Sequence, residues 1–271
     1  MFVTRLISGI ILIILTLGVI LAGNEVLMLA MMFVSLVGMM ELYRIFKIHK
    51  DIMGITGYVA TVLYYLCLYF KREDLLLMVI IAELAVSMSI FVLRFPKYKA
   101  EQAIISNFGL IYVTAMLSCI YRIRMLDGGL YIVWLAFICA WGNDTCAYVF
   151  GKFIFSKIFG KHKMAPVLSP NKSIEGGVGG VLGAVIIGLV YAYIFKDKLT
   201  MFANPCVAFG ITCGVGALLA IIGDLTASGI KRNYDIKDYG KLIPGHGGIL
   251  DRFDSVIFTA PAVYFLITCL L

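Results

Sequence analysis

The sequence predicts an all-α polytopic membrane protein, and three observations carry that prediction. Of 271 residues, 62% are hydrophobic and 14% charged. Soluble domains carry roughly 25% charged residues, so most of this chain has no aqueous face to present. Its apolar stretches run for about 20 residues, the length a helix needs to cross a bilayer. They are also continuous rather than alternating, and an open sheet in lipid would leave backbone groups unpaired.

Hydropathy divides the chain into about nine spans, near 6–22, 25–46, 54–70, 74–95, 102–121, 128–150, 173–195, 202–223 and 253–271. The first follows Arg5. Its apolar run is long for a signal-peptide core and no small-residue cleavage site follows, so it is expected to stay as an anchor. The fourth carries Glu83 midway, an expensive residue in lipid for which the sequence offers no partner. The seventh has glycines at 176, 177, 179, 180, 183 and 188. Its Gly176/Gly180 and Gly179/Gly183 pairs have the spacing that lets a neighbouring backbone approach closely. Residues 1–125 then form an N-terminal transmembrane region of about five spans, and residues 126–271 a C-terminal catalytic region of about four spans with two long loops.

Charge asymmetry orients the spans. With the N-terminus inside, Arg5, Arg44, Lys47, Lys50, Arg94, Lys97, Lys99 and the ten basic residues of loops 151–172 and 224–252 are cytoplasmic. Only six of the 23 Lys and Arg residues fall outside. The positive-inside rule therefore predicts N-in, C-out, with both long loops facing the cytoplasm. The net charge of +7 is explained by those loops, so no nucleic-acid partner is expected. Seven cysteines without a CxxC pair are read as small buried hydrophobes rather than disulfides or a zinc site.

The two long loops and the acids beside them hold the chemistry. Loop 151–172, GKFIFSKIFGKHKMAPVLSPNK, has five lysines and no acid. It reads equally as a basic segment lying on anionic lipid or as a grip for polyphosphate. The grip would lie where Ser169, Lys172 and Ser173 lead into a helix N-terminus with free N–H groups. Asp144 lies near the end of the sixth span in WGNDTCAY, and Asp224 closes the eighth in IIGDLTAS. Asp251 and Asp254 share one helix face at the start of the ninth, where they could simply complement the helix dipole. All four are expected at one depth beside Lys and Arg. Carboxylates for Mg²⁺, with cations for the remaining phosphate oxygens, are what phosphoryl or nucleotidyl transfer requires.

The stretch SGIKRNYDIKDYGKLIPGHGGILDRFD, residues 228–254, resembles the signature of the phosphatidate cytidylyltransferase (CDP-diacylglycerol synthase) family. Ser228, Lys231, Arg232, Lys237, Asp238, Pro244, His246, Gly247, Gly248, Asp251, Arg252 and Asp254 all meet it. The likeness extends upstream through Gly223-Asp224 and the string from Asp144 to Gly176, and so covers about the C-terminal half. Asn171 stands where many relatives carry a second basic residue.

The resemblance implies that CTP and phosphatidic acid in the bilayer give CDP-diacylglycerol and pyrophosphate in phospholipid biosynthesis. It implies Mg²⁺, with or without a second cation, held at Asp224 and Asp251, with Asp144 and Asp254 as further ligands or their supports. Lys231, Arg232, Lys237 and Arg252 would meet phosphates of CTP or lipid, with Ser169, Lys172 and Ser173 at the triphosphate tail. Lys231 and Arg232, with Asp224 and Asp251, form the expected catalytic set. His246 either contacts phosphate or orders the glycine turn. A homodimer and a bacterial cytoplasmic membrane location are expected. The alternative is a CTP-dependent polyprenol or phytol kinase. A transporter would place its charges at mid-membrane in repeated halves. CDP-alcohol phosphotransferases and prenyltransferases would show DGxxAR or DDxxD, and neither string occurs.

Overall fold

A computed structural model describes residues 2–151, 160 and 162–271. Lys152, Lys157 and Lys161 of the basic loop lie outside the described residues. Among those described, the chain forms nine helices: α1 Phe2–Ala22, α2 Asn24–Ile45, α3 Ile52–Tyr69, α4 Leu76–Leu93, α5 Ala100–Arg124, α6 Gly129–Phe150, α7 Ile174–Ile194, α8 Pro205–Asn233 and α9 Leu250–Leu270. Eight of these segments are long and apolar enough to cross a bilayer, and Leu6–Ala22 of α1 is a shorter apolar helix beside them. The all-α architecture is as the hydropathy predicts. Two helices contain π-helical stretches, Leu110–Ala115 in α5 and Ile138–Gly142 in α6.

Two features differ from what hydropathy sets. The eighth span does not stop at 223 but continues to Asn233, because charged residues lower hydropathy without interrupting a helical backbone. Asp224, Ser228, Lys231 and Arg232 are therefore helical rather than part of a loop. Inside loop 151–172, Lys163–Ala165 (β1) and Ser169–Ser173 (β2) form a two-stranded antiparallel hairpin, with Lys163 opposite Ser173 and Ala165 opposite Ser169.

The chain comprises two compact units: 1–121 with 238–252, and 122–237 with 253–271. The first is cored by Leu27, Met39, Leu42, Tyr43, Tyr65 and Leu110. Glu83, unassigned from the sequence, acquires partners here. The hydroxyls of Ser106 and Thr56 lie 2.7 and 3.0 Å from its carboxylate, tying α4 to α5 and α3. The second unit is cored by Ile132, Leu135, Phe209, Val256 and Ile257, and Thr259 on α9 donates to the Ala136 carbonyl on α6 at 2.8 Å. All seven cysteines are free. Cys119, Cys139 and Cys213 are buried, whereas Cys269 is exposed.

The glycines of α7 are used within the second unit. A Cβ on Gly180 would lie 2.8 Å from the Asn143 carbonyl oxygen on α6, and one on Gly188 would strike Cys213 on α8. Small residues let these backbones meet.

Candidate active site

The second unit brings three of the sequence-predicted acids together. Gly223 is the reason for part of this. A Cβ there would stand 2.7 Å from the Asp254 carbonyl oxygen and 2.9 Å from the Phe258 ring, so α8 and α9 can approach closely only at a glycine. The next residue, Asp224, is thereby carried toward Asp254. The half-buried Asp254 carboxyl lies within electrostatic reach of Asp224, Asp144 and Lys231, while its Oδ1 accepts the Ser255 N–H at 2.8 Å. Asp224, Ser228 and Lys231 follow at helical spacing along one face of α8, and Lys231 is only 9% exposed. A buried ammonium beside these carboxylates keeps the charge of the cluster partly compensated.

Lys172 supplies a second cation. Its Nζ pairs with Asp224 Oδ2, which joins the hairpin to α8. The following residue, Ser173, is the N-cap of α7: its backbone is extended, and its Oγ accepts the Gly176 N–H at 3.1 Å. This is how a capping hydroxyl satisfies one of the free donors of a helix start. In the same first turn the Glu175 carboxylate accepts the His162 N–H at 3.1 Å and lies 2.6 Å from His162 Nδ1, fastening β1 to that helix end. These elements border a cavity of about 580 Å³ lined by Asp144, Lys172 and Ser173, with Asn143, Tyr148 and Gly176 beside them. Its one acid, Asp144, and its lysine, opening against a capped helix N-terminus, suit a phosphate-bearing ligand accompanied by a cation.

The polar loop 238–252 is organised in the first unit by two carboxylates. Asp251, 6% exposed, accepts the N–H groups of Tyr239 and Gly248 on Oδ2, at 2.8 and 2.9 Å. Gly247 bends the chain at φ +87° just beside it, where a Cβ would lie 2.8 Å from the same oxygen. The second carboxylate, Glu41 of α2, was not apparent from the sequence. It is 2% exposed and accepts the N–H groups of Ile249 and Leu250 at 3.1 and 2.9 Å, which caps the start of α9. A Cβ on Gly248 would come within 2.6 Å of its carboxyl carbon, so that glycine is required by the cap.

His246 Nδ1 lies 2.7 Å from the Ser8 hydroxyl, which donates to the Pro244 carbonyl at 3.1 Å, so the imidazole orders the glycine turn against α1. Arg232 and Lys237 are exposed at the end of α8 and beyond it, and Arg252 is exposed on the first turn of α9. Ser169 opens β2, ahead of the cavity-lining residues. Asn143 was also missed. It lines the cavity, is 1% exposed, and its Oδ1 has no hydrogen-bond partner. The only hint was its place beside Asp144 in an apolar span.

Together the fold and this cluster define a class: a polytopic helical membrane protein with acids and lysines gathered beside a capped helix N-terminus. A sequence model of the Cytidylyltransferase family matches residues 3–270. The phosphatidate cytidylyltransferase of Staphylococcus aureus (strain COL) is 32% identical over 268 residues, covering 97% of this chain and 98% of the relative. Those of Staphylococcus saprophyticus and Staphylococcus haemolyticus are 32% and 31% identical, with the same coverage. The chain belongs to the cytidylyltransferase family.

Proposed function

We propose that the protein transfers the cytidylyl group of CTP to phosphatidate, giving CDP-diacylglycerol and pyrophosphate in a bacterial cytoplasmic membrane. The observation that carries this reading is the Lys172–Asp224 pair beside the α7 N-cap, in a chain that matches phosphatidate cytidylyltransferases over 97% of its length. An oxygen of the lipid phosphate attacks the α-phosphorus of CTP. The new P–O bond joins the lipid to cytidine monophosphate, and the bond to the bridging oxygen breaks, leaving its electron pair on pyrophosphate. A phosphomonoester dianion is already nucleophilic, so the chain has to position and neutralise charge rather than remove a proton.

Lys172 and Lys231 neutralise phosphate oxygens, and Ser173 with the first N–H groups of α7 receives the triphosphate tail. Among the described residues, no three His, Cys, Asp or Glu side chains stand close enough to cage a metal. Mg²⁺ commonly needs only one or two carboxylates plus substrate phosphates, so the donors fit an ion that arrives with CTP. Asp224, with Asp144 and Asp254 near it, would hold that ion, which supplies charge stabilisation at the reacting phosphates. Asp251 belongs to the same proposal, although its carboxylate is shared with two backbone donors of its loop. A cytoplasmic position for both long loops and assembly as a homodimer complete the reading.

The test supplies purified protein with CTP labelled at the α- and γ-phosphates, phosphatidate and Mg²⁺. Label from the α-phosphate should enter the lipid, and the γ-label should leave in pyrophosphate. Release of CDP, with the γ-label in the lipid, would identify a lipid kinase and overturn the reading.

A further inference from the structure

The polar cavity beside Lys172 does not end at its polar residues. A second hollow of about 260 Å³ adjoins it along α7 and α8, lined only by apolar side chains and Gly177, and the two share Met164, Gly177 and Ile221. Met164, from β1, lies over Gly177, where the missing Cβ makes room for its terminal methyl. A flexible, unbranched methionine suits an adjustable divide between a polar and an apolar compartment. Along α7 the groove extends from Ile174 to Leu182, about 12 Å at 1.5 Å per residue. Its walls Val178 and Leu218 are 51% and 55% exposed, so in a bilayer they face hydrocarbon.

We propose that this groove is the acyl-chain subsite, in which one chain of phosphatidate lies along α7 and α8 while its phosphate enters the polar cavity on the side of Lys172. The inference rests on the cytidylyl-transfer reading for the identity of the lipid. It commits to an anionic phospholipid because a lysine-bearing cavity continuous with a lipid-facing apolar groove complements a charged head joined to a hydrocarbon chain. Lipid tails are as apolar as the groove, so an acyl chain moving into it gains little hydrophobic free energy. Its value is registration: a chain seated between α7 and α8 fixes the height at which the phosphate meets Lys172.

Val178→Trp and Leu218→Trp each fill the groove with apolar bulk at a half-exposed position. Turnover in detergent micelles is then compared for dioleoyl and dihexanoyl phosphatidate. Each variant should lower kcat/KM for the dioleoyl lipid by about 10–10²-fold, the scale of losing the register of a reacting group. KM for CTP and turnover of the dihexanoyl lipid should stay at wild-type values. Equal losses on both lipids, or no change on either, would overturn the groove assignment. A second arm does not depend on turnover: phosphatidate carrying a diazirine on its acyl chain should label residues within 174–182 or 218–221, and labelling confined to other helices would overturn the proposal. A wild-type protein that labels in the groove but forms no CDP-diacylglycerol would count against the reaction and not against the subsite.

Discussion

Glu41→Ala should release the start of α9 while leaving the rest of the molecule folded. The Glu41 carboxylate is 2% exposed and accepts two backbone N–H groups, from Ile249 and Leu250, at 3.1 and 2.9 Å. Removing it strands two buried donors, each costing about 1–3 kcal/mol, and deletes a negative charge at a helix N-terminus worth about 0.3–1 kcal/mol. The combined cost is about 2–7 kcal/mol, and 1.4 kcal/mol is about tenfold in an equilibrium. Amide hydrogen exchange across residues 243–252 should therefore accelerate by at least ~30-fold, with exchange in the cores of α3 and α5 near wild type. Glu41→Gln retains one acceptor oxygen but turns an amide N–H₂ toward the second donor, so it should fall between alanine and wild type. Unchanged exchange in 243–252 for the alanine variant would refute the claim that Glu41 holds this loop.

Other expectations follow from the second unit and from the loop. Asp224→Asn and Asp254→Asn should each lower kcat by roughly 10²–10³, the scale of losing one preorganised charge at a reacting centre, with thermal unfolding in detergent little changed; near-normal turnover in both would remove them from the site. Asp251→Asn should lose activity and also speed exchange of the Tyr239 and Gly248 amides, since a neutral amide is a weaker acceptor for both; loss of activity alone would count against its structural role. Ser173→Ala should destabilise the α7 start by about 1 kcal/mol and raise KM for CTP, and an unchanged KM would limit the residue to capping. Mg²⁺ should shift thermal unfolding upward much more in the presence of CTP than alone, because no three-residue cage stands ready among the described residues; an equal shift without nucleotide would show a preformed site.

Much of this site was legible because acids inside apolar spans are rare and costly. Asp144 and Asp224 stand out for that reason, and Gly223 beside Asp224 becomes intelligible once the approach of α9 is seen. The length of α8 was not legible. Hydropathy falls at Asp224, Lys231 and Arg232, although their backbone remains helical, and this turns a supposed loop into a rigid face presenting Asp224 and Lys231. His246 drew notice as a lone histidine among glycines, yet its contact is with Ser8 of the first helix.

The sequence by itself determined the class of protein. Spans of sufficient length and apolarity have one stable solution in lipid, and a dense polar signature over 228–254 marks the family. Only the tertiary structure decided which polar residues meet. Glu41 lies 208 residues before Ile249, and nothing local distinguishes it from an acid at a membrane interface. Lys172 and Asp224 become partners because a hairpin returns beside α8. Local patterns encode helices through short-range periodicity, whereas pairing between distant carboxylates, amides and lysines depends on which helices pack together. That choice is made by glycines whose significance appears only when a neighbouring backbone occupies the space their side chains would have filled.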